Sequence, residues 1–210
     1  MPVVYVARHG ETDWNRAGRY QGQRESALTE LGRLQASALA NALAQSGARR
    51  VISSPLARCV ETAQPVADAL GVAVETDERL LEIAHGTWEG RLREEIERDD
   101  PERMRAWMHD PASVRFQGGE SLADVAARWQ AFTQSLDGKN EDAVVVTHDV
   151  LVRIAVLLAS GRQLSNLWEP RVQNGGYALL SRAGGRWDVA NECRDEHLAG
   201  ILADTTRQAL

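Results

Sequence analysis

A chain of 210 residues, 43% hydrophobic and 26% charged, has the profile of a folded globular protein rather than a disordered one, and it is long enough for one substantial core. Its formal net charge of −6 argues against broad binding to nucleic acid or to anionic membranes, both of which want a basic face, but leaves room for a small anion held by a local cluster. No run approaches a membrane span and the start lacks the pattern of a secretory leader, so the expected setting is the cytoplasm. Cys59 and Cys193 fit no metal or redox spacing and read as free thiols in a reducing compartment.

The apolar run Val3 to Ala7 predicts a buried strand, and Gly10 just beyond it lets the backbone turn and approach a ligand closely. Residues 10 to 28 show no apolar periodicity and read as loop. Thr29 caps a helix with Leu31, Leu34, Ala38, Ala42 and Leu43 on its apolar face, and Gly47 ends it. Arg50 to Ser53 is a short second strand. Ser54 as cap and Pro55 at the first helical position open another helix, with Leu56, Val60, Ala63, Ala67 and Leu70 inward. Pro65 predicts a kink or split in that helix, Gly71 its end, and Val72 to Val74 a third strand.

From about residue 78 to 120 the pattern changes to loops and short charged helical pieces, broken by Pro101 and Pro111. This stretch is expected to form a cap over the sheet rather than a separate domain, with the charged run Arg93 to Asp100 as a solvated face. Ser121 and Asp124 make a capping box ahead of the stripe Leu122, Val125, Trp129, Phe132 and Leu136. Ala143 to Thr147 is the clearest central strand, Val150 to Ala159 the following helix, and Gly161 its end. Tyr177 to Ser181 and Trp187 to Ala190 form a hairpin through Gly184 and Gly185. The alternation predicts an α/β fold: a three-layer α/β/α sandwich around a mostly parallel sheet, one domain over residues 1–210.

Three of these strands end in polar residues: Arg8-His9, then Ser53-Ser54 leading to Arg58, then Thr147-His148. Parallel strands put their carboxyl ends on one edge, where α/β folds bind ligands, so two Arg and two His are expected to converge on a pocket with Asn15 nearby. Taken singly, each has a plain alternative: a hydrogen-bonded surface pair for Arg8-His9, a solvated charge for Arg58, a satisfied core residue for His148. Together they make an anion site, because Arg presents a planar fork of donors matched to phosphate. The helix start at Ser54-Pro55 is expected to add free N–H groups and its dipole. No metal site is expected, since metal-ligand spacings are absent and the Arg pair repels a cation.

Four blocks carry a resemblance: Arg-His-Gly-Glu-Thr-x-x-Asn (8–15), Ser-Ser-Pro-Leu-x-Arg-x-x-x-Thr-Ala (53–63), Leu-x-Glu-x-x-x-Gly-x-Trp-Glu-Gly (80–90) and Val-Val-x-His (145–148). In this order they resemble the histidine phosphatase superfamily, which includes the cofactor-dependent phosphoglycerate mutases. The resemblance implies a phosphoglycerate mutase-like fold, His9 as the nucleophile that becomes a phosphohistidine, and Arg8, Arg58 and His148 as holders of the phosphoryl oxygens. Asn15 is implied as a further donor, Gln21, Gly22 and Asp149 as further substrate contacts, and Glu82 as general acid and then base. Glu89 in the same block is a rival for that last role. Asp149 stands where the family often has Gly, and its carboxylate repels an anion unless it points away.

The resemblance implies metal-independent hydrolysis of a small phosphorylated metabolite, without a cofactor. The segment Arg91 to Gln117 lacks the paired Arg of the mutase members, and Trp88-Glu89-Gly90 looks like the phosphatase branch. A mutase and a non-catalytic phospho-ligand binder are the alternatives. His85, Trp107, Met108, His109 and Phe116 of the cap are candidates either for leaving-group contact or for packing. The sequence leaves monomer and homodimer equally open.

Overall fold

A computed structural model of the chain describes residues 2–136, 140–206 and 208–209. Its strands are β1 (Val3–Arg8), β2 (Arg50–Ser53), β3 (Val74–Thr76), β4 (Ala143–Thr147), β5 (Tyr177–Ala183) and β6 (Arg186–Arg194). They form one sheet in the order β3-β2-β4-β1-β5-β6. The first four in that order are parallel, while β5 is antiparallel to β1 and β6 to β5. The helices are α1 (Asp13–Ala17), α2 (Glu30–Leu43), α3 (Ala57–Leu70), α4 (Arg93–Asp99), α5 (Pro101–His109), α6 (Leu122–Ser135) and α7 (Asp149–Ser160).

The layering follows from the two-residue period of the strands. Val145 on β4 and Ile52 on β2 pack with α6 and α7, whereas Val144, Val146 and Val51 face the opposite core with α2 and α3. β4 is buried at all five positions because neighbours flank it and helices cover both faces. α7 is buried at every position from Asp149 to Leu157, so it is a core helix rather than an amphipathic one. The α6 stripe is buried as its spacing predicts, and the Ser121–Asp124 capping box is present. Between residues 78 and 120, Trp88, Ile96, Met104, Trp107 and Phe116 join the core beneath α6 and α7. In the charged run on α4, only Ile96 is buried.

Several expectations shift. The loop of residues 10–28 contains α1, whose five residues are too few to show a period but are fixed by a capping box between Thr12 and Asn15. The inward face of α2 is Gly32, Gln35, Ala36, Leu39, Ala40 and Leu43, while Leu34 is 52% exposed. Two non-aliphatic residues take inward positions because they meet the loop after β1. A Cβ on Gly10 would lie 2.3 Å from the Gly32 carbonyl oxygen, so the small residue at Gly10 lets α2 come close rather than a ligand. α3 starts at Ala57 with Leu56 as its cap, not Ser54, and continues through Pro65 without a break. β3 lies two residues later than predicted. The hairpin strands are longer than their periodicity showed.

Candidate active site

The carboxyl ends of β1, β2 and β4 meet on one edge, as the strand pattern predicts. His9 N–H donates to the Thr147 carbonyl at 2.9 Å and Ser54 N–H to that of Val146 at 2.9 Å, which carries the register past the strands into the site. Arg8, His9, Asn15, Gln21, Gly22, Arg58, Glu82, His85, Asp149 and Ala209 line one small cavity. Its free volume of about 20 Å³ has room for a single water, so an ester entering it displaces lining groups. A roomier groove of about 390 Å³ beside Trp129, Leu158 and Trp187 holds none of the strand-end residues. Charge rather than volume marks the site.

His9 is buried, and its Nδ1 lies 2.7 Å from the Gly10 carbonyl oxygen. A carbonyl only accepts, so Nδ1 carries the proton and Nε2 carries the lone pair. Burial, followed by the charges of Arg58 and Arg8, holds the imidazole pKa well below its usual value. His9 is therefore neutral at pH 7 with Nε2 able to attack an electrophile. The same logic fixes His148. Arg58 Nη2 donates to its Nδ1 at 3.2 Å, so Nε2 carries the proton toward Ser54 Oγ at 2.9 Å. Its ring meets that of His9 edge-on with centroids 5.2 Å apart, but it does not line the cavity.

The two arginines are held by the protein and still have donors in reserve. Arg58 gives Nη1 to the Arg24 carbonyl at 2.7 Å and Nη2 to that of Gly22 at 2.8 Å. Arg8 gives Nη1 to the Val172 carbonyl at 3.2 Å and Nη2 to Gln208 Oε1 at 2.5 Å. In both, Nε is buried with no hydrogen-bond partner among the described residues. A buried unpaired donor is unfavourable, so two of them beside a neutral His suit an anion. Asn15 and Gln21 have their oxygens occupied: Asn15 Oδ1 accepts from the Thr12 N–H and Gln21 Oε1 from the Ser26 hydroxyl, and the one proton of the Thr12 hydroxyl lies within reach of both oxygens. What they can turn to an anion is the amide N–H. Asp149 lines the cavity but pairs with Arg8 and Arg153.

Glu82 and its rival separate cleanly. Glu82 is buried at the cavity, and burial raises its carboxyl to about 7 against the pull of the Ile83 N–H, with Asp149 raising it further. Glu89 instead ties loops together, its Oε1 accepting from the N–H groups of Gln23 and His85. Of the five cap candidates, only His85 reaches the cavity. It is buried, burial lowers its pKa to about 3, and neither ring nitrogen has a partner. Trp107 and Phe116 pack their rings edge-on against it.

At the helix start expected to serve the anion, the first N–H is already taken. Ala57 N–H, at the beginning of α3, donates to the Glu25 carboxylate at 3.1 Å. Four residues escaped sequence reasoning. Asn174 donates to the His9 carbonyl at 3.2 Å, Gln208 holds both Asn174 and Arg8, and Thr62 accepts from the Gly10 N–H at 3.0 Å. Arg153, the fourth, pairs with Asp149. Only Thr62 lay within a recognised block. Cys59 is a buried free thiol with Sγ 3.4 Å from His148 Nε2, and burial pushes its pKa up to about 12. Among the described residues no group of three or more His, Cys, Asp or Glu is placed to hold a metal, and no helix is long and apolar enough to cross a membrane.

Comparison with known proteins gives the same direction. The model of the histidine phosphatase superfamily (branch 1) matches residues 4–193. The chain is 38% identical to phosphoserine phosphatase 1 of Hydrogenobacter thermophilus over 182 residues, 86% of each chain. It is 32% identical to a probable phosphoglycerate mutase, GpmB, of Erwinia tasmaniensis over 192 residues, covering 89% of this chain and 88% of the other. The structure of a mycobacterial glucosyl-3-phosphoglycerate phosphatase complexed with VO3 superimposes with a TM-score of 0.84 at 31% identity, covering 91% of this chain and 98% of that one.

Proposed function

The chain belongs to the histidine phosphatase superfamily, and from that premise we propose that it hydrolyses small phosphomonoesters without a metal, through a phosphohistidine on His9. It is a phosphoric monoester hydrolase, in keeping with relatives named as phosphatases. The observation that carries the mechanism is the free Nε2 of a neutral His9 beside two buried Nε–H donors that have no protein acceptor. In the first step Nε2 forms a bond to phosphorus, the ester P–O bond breaks, and the Glu82 carboxyl gives its proton to the departing oxygen. In the second, Glu82 as carboxylate takes a proton from water, whose oxygen displaces His9 from phosphorus. A carboxyl near 7 suits both directions. Arg8 and Arg58 supply the charge stabilisation on which phosphoryl transfer depends.

Asn15, Gln21 and the Gly22 loop border the phosphate, and Arg58 is held by His148 on one side of it. The segment from about 78 to 120 serves as a cap, bringing Glu82 and His85 over the strand ends in a single domain. The leaving group then faces His85, whose neutral ring offers one donor and one acceptor. A cytoplasmic setting fits a substrate drawn from small phosphorylated metabolites.

Chelator-treated protein is expected to turn over p-nitrophenyl phosphate, and its absence of turnover would sink the reading. A mutase reading has the GpmB match in its favour. Interconversion of the two monophosphoglycerates with a bisphosphoglycerate primer, faster than phosphate release, would favour it. A panel including phosphoserine and phosphoglycerates then ranks the leaving groups.

A further inference from the structure

The Asp149 carboxylate is buried against the phosphate cavity, a position that on charge alone opposes an anionic ligand. Its oxygens are occupied. Oδ1 lies 3.1 Å from Arg8 Nη1, Oδ2 2.5 Å from Arg153 Nε, and Oδ1 3.3 Å from Arg153 Nη2. Arg153, one turn further along α7, is itself tied down. Its Nη1 donates to the Pro170 carbonyl and its guanidinium lies over the Trp168 ring, 5.2 Å from the centroid. The Trp168 indole in turn donates to the Trp107 carbonyl at 2.9 Å. On the other side, Arg8 has Nη1 and Nη2 engaged by Asp149, Val172 and Gln208, and the nitrogen left without any acceptor among the described residues is Nε.

We propose that Asp149 is a positioning residue: its carboxylate, clamped by Arg153, fixes the Arg8 guanidinium so that Nε–H meets the transferring phosphoryl group, and it does not itself bind substrate. The proposal rests on the phosphohydrolase reading above. Arg153 is what makes an anion tolerable here. It cancels the Asp149 charge and leaves Arg8 and Arg58 to face a monoester carrying roughly −1.5 to −2. Without Arg153, the carboxylate neutralises Arg8 and repels the ligand.

The test separates charge from orientation, using inorganic phosphate binding by calorimetry and p-nitrophenyl phosphate turnover on each variant. Arg153→Met is expected to weaken phosphate binding about tenfold or more, through the unpaired carboxylate. Adding Asp149→Asn to that variant restores most of the affinity while kcat stays at least about tenfold down, because Arg8 is no longer held. Asp149→Asn alone, which leaves the Arg153 charge unbalanced, lowers kcat while phosphate binding is unchanged or tighter, and Arg153→Lys, which keeps the charge but loses the fork, lowers kcat with little change in phosphate affinity. The two milder variants keep the test alive should Arg153→Met fail to fold. Wild-type kcat in Asp149→Asn, or affinity losses that add in the double variant, overturns the inference and leaves the phosphatase reading intact. A wild-type protein that neither binds phosphate nor turns over ester overturns both.

Discussion

Glu82→Gln is expected to lower activity and raise stability, the second increasingly as pH rises from about 4.5 to about 7. Burial raises the Glu82 carboxyl from 4.5 to about 7. The unfolded chain therefore ionises this group at lower pH than the folded one does. Stability from the neutral carboxyl is complete below the unfolded value and is lost as pH rises through the folded value. At about 1.36 kcal/mol per pKa unit, the loss reaches about 3 kcal/mol by about pH 7 and changes little above it. Gln is neutral at every pH and its carbonyl oxygen can keep the bond that Glu82 Oε1 accepts from the Ile83 N–H at 2.8 Å. It escapes that loss. Thermal melts of both proteins from pH 4 to 9 isolate the group, because every other titration is common to the pair. Nearly equal midpoints at pH 4 and a Gln variant melting several degrees higher at pH 8.5 are expected. A difference that does not change with pH, or a Gln variant less stable at pH 8.5, would show that Glu82 is not a buried carboxyl held neutral. The activity arm runs beside it: hydrolysis of an alkyl phosphate falls by about 10² or more, and wild-type turnover declines as pH rises through 7.

Arg58→Ala is expected to weaken inhibition by inorganic phosphate more than tenfold, since a unit charge at ~4 Å is worth about 4 kcal/mol at an effective dielectric near 20. Near-wild-type inhibition would place Arg58 outside the phosphate site. On α2, Leu39→Ala is expected to destabilise by about 2–5 kcal/mol and Leu34→Ala by under about 0.5 kcal/mol in chemical denaturation. Equal losses would contradict the observed face of that helix.

The strand-end chemistry was legible because it is local: apolar runs end at Arg8-His9, Ser53-Ser54 and Thr147-His148, and parallel pairing brings the ends together. The α6 stripe and the β4 run were legible because burial sets their period directly. What resisted reading was governed by contacts distant in sequence. Gln208 meets Arg8 across 200 residues, and Asn174 meets His9 across 165, with no pattern at either to announce it. Gly32 and Gln35 displaced the aliphatic face of α2 because Gln35 Oε1 accepts from the Glu11 N–H at 2.8 Å. Ser54-Pro55 looked like a helix start, yet Ser54 Oγ is engaged by His148 and the first N–H of α3 by Glu25. Glu82 is preferred over Glu89 in the sequence only through the resemblance; the physical distinction is that one is buried at the cavity and the other ties loops.

The proposed phosphohistidine on His9 is tested most directly by rapid quenching of wild type and His9→Ala with labelled substrate. A phosphoramidate on imidazole is labile in acid and stable in alkali. The wild-type protein is expected to keep its label after an alkaline quench, lose it after an acid quench, and yield the labelled peptide that contains His9. His9→Ala is expected to take up no label while keeping the fold. Label that survives acid, or that appears on the His9→Ala protein, would contradict the account.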